Sequence, residues 1–384
     1  MSRSFLWVPL LVLLWTGAAG AGGINWTASP AAIDAAGPKA PVLLGDGALL
    51  SVRHVGEGEV TRLALARLDK GNAGDGWRDV ATIASDDAGV DLGDCHLLRL
   101  RDGRLWCAYR RNRYRGDDAA RPGYAIEIAE SQDDGRSWRK HSTVAEARHD
   151  RPPTRSRGLW SSFVLEKRDG TLQCYFDDED TPARHGLAGH QWVVMKTWDA
   201  RLERWDDPVV VSRAHDPSHL SRDGMPSVVE LHDGRLLAAF ESVDVRPPHA
   251  NLIRCASSAD GGQTWSWRER ERSVIYATKR SNYLALAPWM IRRRDRSLLV
   301  VFCTDEDRDE PGVSGTPPPR LRMDIRCVLS RDDGVTWSSP QLVYAGGHRN
   351  YLPGAVELDD GALRVHFDDY AGGGVRIVRG VARP

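Results

Sequence analysis

Six positions in this 384-residue chain could carry chemistry, and they share one address. Each lies five residues after a recurring leucine, at the far end of an apolar run: His54, Arg110, Asp177, Glu241, Cys303 and Asp368. Two of them come with company. Asp178, Glu179 and Asp180 follow Tyr175-Phe176-Asp177, and Asp223-Gly224-Met225-Pro226 precedes Phe240-Glu241. Two carboxyl groups flanking one bond are the minimum machinery for glycoside hydrolysis, one protonated and the other ionised. His190-Gln191 has the donors and acceptors to hold sugar hydroxyls. No Cys-x-x-Cys pair occurs, so structural zinc is not expected, and neither a metal nor a cofactor is assigned.

The elements that must position these groups repeat. The leucines are Leu49, Leu105, Leu172, Leu236, Leu298 and Leu363. Each follows a turn: Asp46-Gly47, Asp102-Gly103, Asp169-Gly170, Asp233-Gly234, Asp295-Arg296 or Asp360-Gly361. Successive Asp residues are 56, 67, 64, 62 and 65 apart. Asp-Gly between alternating runs signals a hairpin, because such turns need positive φ. A second unit reads Ser-x-Asp-x-Gly-x-Thr/Ser-Trp, at Ser131 to Trp138, Ser258 to Trp265 and Ser330 to Trp337. Degenerate copies run from Thr197 to Trp205 and from Leu68 to Trp77. Its Asp can accept backbone N–H bonds, its Gly supplies positive φ and its Trp packs back, so its expected role is structural. Six sheet units of about 60 residues without a long amphipathic helix predict an all-β fold, a six-bladed β-propeller with Asp-box turns.

Charge and composition exclude several classes. Lys plus Arg number 52 against 53 Asp plus Glu, a near-balance that argues against a nucleic-acid binder. Residues 1–21 read as a signal peptide: Arg3, an apolar run from Phe5 to Trp15, then Ala19-Gly20-Ala21 ahead of a cut at Gly22. Residues 22–384 are then a single propeller domain, secreted or periplasmic, with no membrane segment after signal cleavage. A monomer is expected. The six cysteines sit inside apolar runs and are expected as buried free thiols.

The Ser-x-Asp-x-Gly-x-Thr-Trp copies resemble the Asp-boxes of the sialidase superfamily. Gly158-Leu159-Trp160, Gly170 to Glu179, His190-Gln191, Asp223 to Ser227 and Phe240-Glu241 look more like glycoside hydrolase family 93, which contains exo-acting arabinanases. That resemblance implies two catalytic glutamates, matched here by Glu241 and Glu179. It implies an oligo- or polysaccharide substrate, with Arg110, Trp160, Asp177, His190, Gln191, Asp223, Tyr351 and Asp368 as binding residues. Where the family often has Trp-Glu-Pro, this chain has Trp160-Ser161-Ser162. Two alternatives stand beside it. An exo-sialidase would use Tyr351 as nucleophile with Glu241 as partner and Arg53, Arg254 and Arg326 for a substrate carboxylate. A carbohydrate-binding propeller would keep the fold without the reaction.

Overall fold

The computed structural model describes residues 23–383, apart from 30–31, 35, 72–75, 114–122, 148–157, 245–250, 312–321 and 347–348. The expected signal segment therefore lies outside the described residues. Six antiparallel sheets account for nearly all of the regular structure. Five have four strands and the third has five. Among the described residues the single α-helix is Asp180–Arg184. None is long and apolar enough to cross a membrane.

Each blade is a meander that runs outward from the axis. The innermost strands are Val42–Leu43, Val90–Arg99, Leu159–Glu166, Ser221–Glu230, Ala285–Arg292 and Asn350–Glu357. The second strands are Leu49–Glu57, Leu105–Arg113, Leu172–Asp178, Leu236–Asp244, Leu298–Thr304 and Leu363–Asp369. The ring closes in blade six, where Ile24–Ala28 from the start of the chain pairs with Gly374–Ala382 from its end. Both faces of most blades are covered by neighbours. The second strand of blade five, Leu298–Thr304, is accordingly buried at every residue and reads as a continuous apolar run.

All six Asp turns join an innermost strand to a second strand. In each, the Asp carboxylate accepts the amide two residues on, from Ala48, Arg104, Thr171, Arg235, Ser297 or Ala362. The sequence suggested two-residue loops; the loops hold three. The Gly47 amide donates to Leu44 O and the Leu44 amide to Ala48 O, a tight turn closed by one residue with φ of 83°. Five blades use Gly at that position, and Arg296 takes the same conformation at 70° in the fifth.

The Asp-boxes link third and fourth strands in blades two, four and five. In the first, Asp133 accepts the amide and hydroxyl of Ser137 and the Ser131 hydroxyl, while Trp138 Nε1 donates to Gly135 O. Asp260 and Asp332 repeat the carboxylate bonds. All six cysteines are free thiols, five of them buried.

Candidate functional site

Innermost strands start, and second strands end, on the face opposite these turns. There the innermost strands break register. Blade two has two residues, Asp94 and Cys95, opposite one partner; blades four, five and six repeat this at Met225-Pro226, Ala287-Pro288 and Leu352-Pro353. The first residue of each bulge is a non-glycine at positive φ: Asp94 47°, Met225 54°, Ala287 51°, Leu352 50°. Lys39, next to the short innermost strand of blade one, joins them at 64°. Such conformations are held by their surroundings and cluster at functional sites.

The bulges catch the strand-end groups of the preceding blade. The Met225 amide donates to Asp177 Oδ1 at 3.0 Å, and the Ala287 amide donates to Glu241 Oε2 at 2.8 Å. Gly224 is required there, because a Cβ would lie 2.9 Å from Asp177 Oδ2 and 2.4 Å from Gln191 Nε2. Arg110 bonds Asp91 and Asp94, with its guanidinium 5.6 Å from the Trp160 ring centre. Lys39 Nζ stands 3.6 Å from the other oxygen of Asp94.

These neighbours set the carboxyl groups apart. Burial pushes Glu241 up to about 7, with Asp94 adding to the shift, against the Ala287 amide and Arg222. Asp177 is pushed well above the usual carboxylate range by burial, with Glu241 and Asp94 adding to it. Asp368 rises to about 6, again chiefly from burial, although Arg349 opposes the shift. Burial acts on Asp94 too, but Arg110 and then Lys39 outweigh it and hold its pKa below the usual value. One carboxyl group thus has a lowered pKa among three whose pKa values are raised. Burial first, then the charge of Glu241, push the Tyr351 phenol up. Arg349 packs on the rings of Tyr351 and Tyr370, at 4.7 and 3.9 Å. A cleft of about 390 Å³ opens beside this cluster, lined by Lys39, His54, Asp91, Asp94, Arg110 and Asp368 among others.

The expected residues divide between this cluster and its wall. Glu241, Asp177, Asp368, Tyr351, Arg110 and Trp160 belong to the cluster. Glu179 lies one layer out: its Oε1 accepts from Arg222 and its Oε2 accepts the Gly158 amide at 2.8 Å. Arg222 also bonds Gln191 Oε1, while Gln191 Nε2 donates to Asp223 O. Asp223 is fully buried in the wall, bonded by Arg272 Nη1 and by the hydroxyls of Ser212, Ser221 and Ser242. His190 is buried, and desolvation lowers its pKa. Cys303 takes the strand-end place in blade five and donates to Leu286 O. His54 contacts Thr61 at 2.7 Å.

Sequence reasoning missed Asp94, Lys39 and Arg349. A signal for the bulges was present: Pro226, Pro288 and Pro353 each lie seven residues before a hairpin Asp, and a proline tolerates a broken ladder. The arginines expected around a substrate carboxylate are engaged separately. Arg53 bonds Asp79, Arg254 donates to Arg272 O, and Arg326 bonds Glu306 and Asp307.

Comparison with known proteins bears on this architecture. A family model described as BNR repeat-like domain matches residues 60–282. No curated protein matches the chain. Among solved structures, an alpha-L-arabinanase from Penicillium chrysogenum, complexed with arabinobiose, is 18% identical; the match covers 93% of this chain and 98% of that one, with a TM-score of 0.63. An alpha-L-arabinofuranosidase from Fusarium graminearum, also with arabinobiose, is 17% identical over 89% and 91%, with a TM-score of 0.57. A Hadza microbial sialidase is 16% identical over 89% and 64%, at 0.54. At such identities the likeness is one of fold, and the resemblance to Asp-box propellers of the arabinanase and sialidase type stands.

Proposed function

This chain belongs to the BNR repeat-like domain family, and from that premise we propose that it is a glycoside hydrolase working on the bulged face of the propeller. The observation that carries the reading is the split among neighbouring carboxyl groups. Glu241, raised to about 7, holds a proton near neutral pH and serves as general acid. Asp94, kept ionised by Arg110 and Lys39, serves as base or nucleophile. Asp177 and Asp368 hold sugar hydroxyls, and Trp160 offers a ring to stack on. The resemblance implies Glu179 as the second catalytic carboxylate. It lies one layer outside the axial cluster, bonded to Arg222 and the Gly158 amide, so we assign it the placing of Arg222, which in turn acts on Glu241.

Exo action on arabinan-type chains rests on the resemblance, and export rests on the residue pattern of 1–21. A second reading has one observation in its favour: the charge of Glu241 reaches the buried Tyr351 phenol, a coupling that a tyrosine nucleophile and its base would share. The deciding experiment offers the purified protein arabinan, aryl arabinofuranosides and sialyl-lactose, and follows the anomer first released by NMR. Arabinose release that Glu241→Gln abolishes and Tyr351→Phe spares supports the carboxylate pair. Sialic acid release lost in Tyr351→Phe moves the assignment to the tyrosine. Failure to turn over any of the three leaves a binding propeller.

A further inference from the structure

Among the described residues, the rim between blades three and four holds a cation without a counter-ion. Arg213 follows the outer strand Val209–Ser212 of blade three. Its guanidinium lies 4.9 Å from the Trp192 ring centre and 4.6 Å from that of Trp267. Both indoles are fixed. Trp267 Nε1 donates to Val210 O at 2.8 Å, and His185 stacks on Trp192 with ring centres 6.3 Å apart. Among the described residues Arg213 has no hydrogen-bond or ion-pair partner, and its Nε is buried.

The surroundings make that vacancy of charge unusual. Arg268 lies 5.6 Å from the same Trp267 ring, so two guanidiniums share one indole. Carboxylates of the same wall are already matched: Glu179 to Arg222, and Asp223 and Glu271 to Arg272. Burial, and then Arg268, work against the charge on Arg213. His190 feels both Arg213 and Arg222, and Arg222 acts on Glu241. A guanidinium in contact with two fixed rings loses part of its freedom, which favours its donor fork for a planar or tetrahedral oxyanion.

We propose that Arg213 anchors an anionic subsite, where it receives the carboxylate or sulfate group of an acidic glycan whose reacting end lies at the axial cluster. The inference rests on the glycosidase reading and narrows its substrate class from neutral chains to charged ones. Arg268 adds long-range attraction at the rim. The two Trp rings keep water from one side of the ion pair, which strengthens it.

Equilibrium titration tests this on full-length protein carrying Glu241→Gln, so that no probe is consumed. The probes are trigalacturonate, a sulfated trisaccharide and neutral arabinotriose, read by tryptophan fluorescence. At low salt at least one charged probe binds roughly tenfold tighter than arabinotriose, a single charge-assisted contact. That advantage shrinks in about 0.5 M NaCl. It disappears in Arg213→Gln and persists in part in Arg213→Lys. The tighter of the two charged probes tells carboxylate from sulfate. Equal affinity for charged and neutral probes, or a preference that survives Arg213→Gln, overturns the subsite and leaves the glycosidase reading intact. No binding of any probe overturns both. If Arg213→Gln does not fold, the salt titration of the Glu241→Gln protein decides, and a salt-insensitive preference overturns the subsite.

Discussion

Carboxyl groups on the two faces of this ring live under opposite conditions. On the turn face, Asp133 is pulled down to about 2 by the hydroxyl and amide of Ser137 and the Ser131 hydroxyl. Asp169 falls to about 2, chiefly through the Thr171 amide. Each is solvated, locally bonded and fully occupied. On the bulged face, Glu241 rises to about 7 and Asp368 to about 6, because burial outweighs the few donors offered to them. The same functional group is a staple on one face and a titrating acid on the other. Hydrogen bonds to the ionised form and desolvation act in opposite senses; the first wins at these turns and the second at Glu241 and Asp368, while at Asp94 the charges of Arg110 and Lys39 outweigh burial.

The largest test of that contrast is catalytic. Glu241→Gln and Asp94→Asn should each lower kcat ~10²- to 10⁴-fold with folding retained, measured on whichever glycoside the panel identifies. Asp260→Asn should leave kcat unchanged and lower only the melting temperature. If Asp260→Asn matched the active-face variants in a folded protein, the division between faces would fail.

Glu179→Gln sharpens the same comparison from one layer out. Releasing Arg222 should lower kcat by roughly 10- to 10²-fold through misplacement. A loss as deep as that of Glu241→Gln, with an unchanged pH profile, would return Glu179 to the reacting pair.

The pH profile gives the sign. Glu241 must carry a proton to act as acid, so activity should fall as pH rises through about 7. Arg222 favours the ionised form of Glu241, so Arg222→Gln should move that alkaline limb upward. Stability follows the same direction. A folded pKa raised from 4.5 means that this group's contribution is full at low pH and is lost as pH rises through about 7. Urea unfolding of the parent protein and Glu241→Gln across pH 4–8 checks it, and the variant should lack that component.

Smaller effects belong to the turn face. Gly262 has φ of 103°, and a Cβ there would lie 2.9 Å from Gln173 Nε2 and 3.0 Å from Met195 Sδ. Gly262→Ala should lose about 1–3 kcal/mol in urea unfolding without changing kcat. Arg296 holds a left-handed conformation that its five counterparts give to Gly, so Arg296→Gly should gain about 1 kcal/mol. A destabilised Arg296→Gly would show that its side chain does more than the turn requires.

Much of this was legible before any coordinates. The hairpins at Asp46 through Asp360 and the Asp-boxes at Ser131, Ser258 and Ser330 stand where their residues imply, because each is closed by bonds within a few residues. Counting five from each leucine found Asp177, Glu241 and Asp368, because a strand of fixed length brings equivalent positions to one end. The count could not reveal that Glu179 turns to Arg222, since the chain leaves the strand after Asp178 and enters the helix at Asp180. Nor could it find Asp94, whose inward position comes from a bulge rather than from strand alternation.

The sequence by itself determined six blades, their turn chemistry and which strand ends face the same way. Those are consequences of backbone geometry and short-range hydrogen bonds, which a repeat spells out locally. The tertiary structure alone decided which carboxyl groups hold protons. That choice depends on burial supplied by the whole ring and on charges from distant blades: Lys39 and Arg110 at Asp94, Arg222 and Asp94 at Glu241, and Arg349 at Asp368. Electrostatic free energy is set by distance and dielectric through space, and neither is written along the chain.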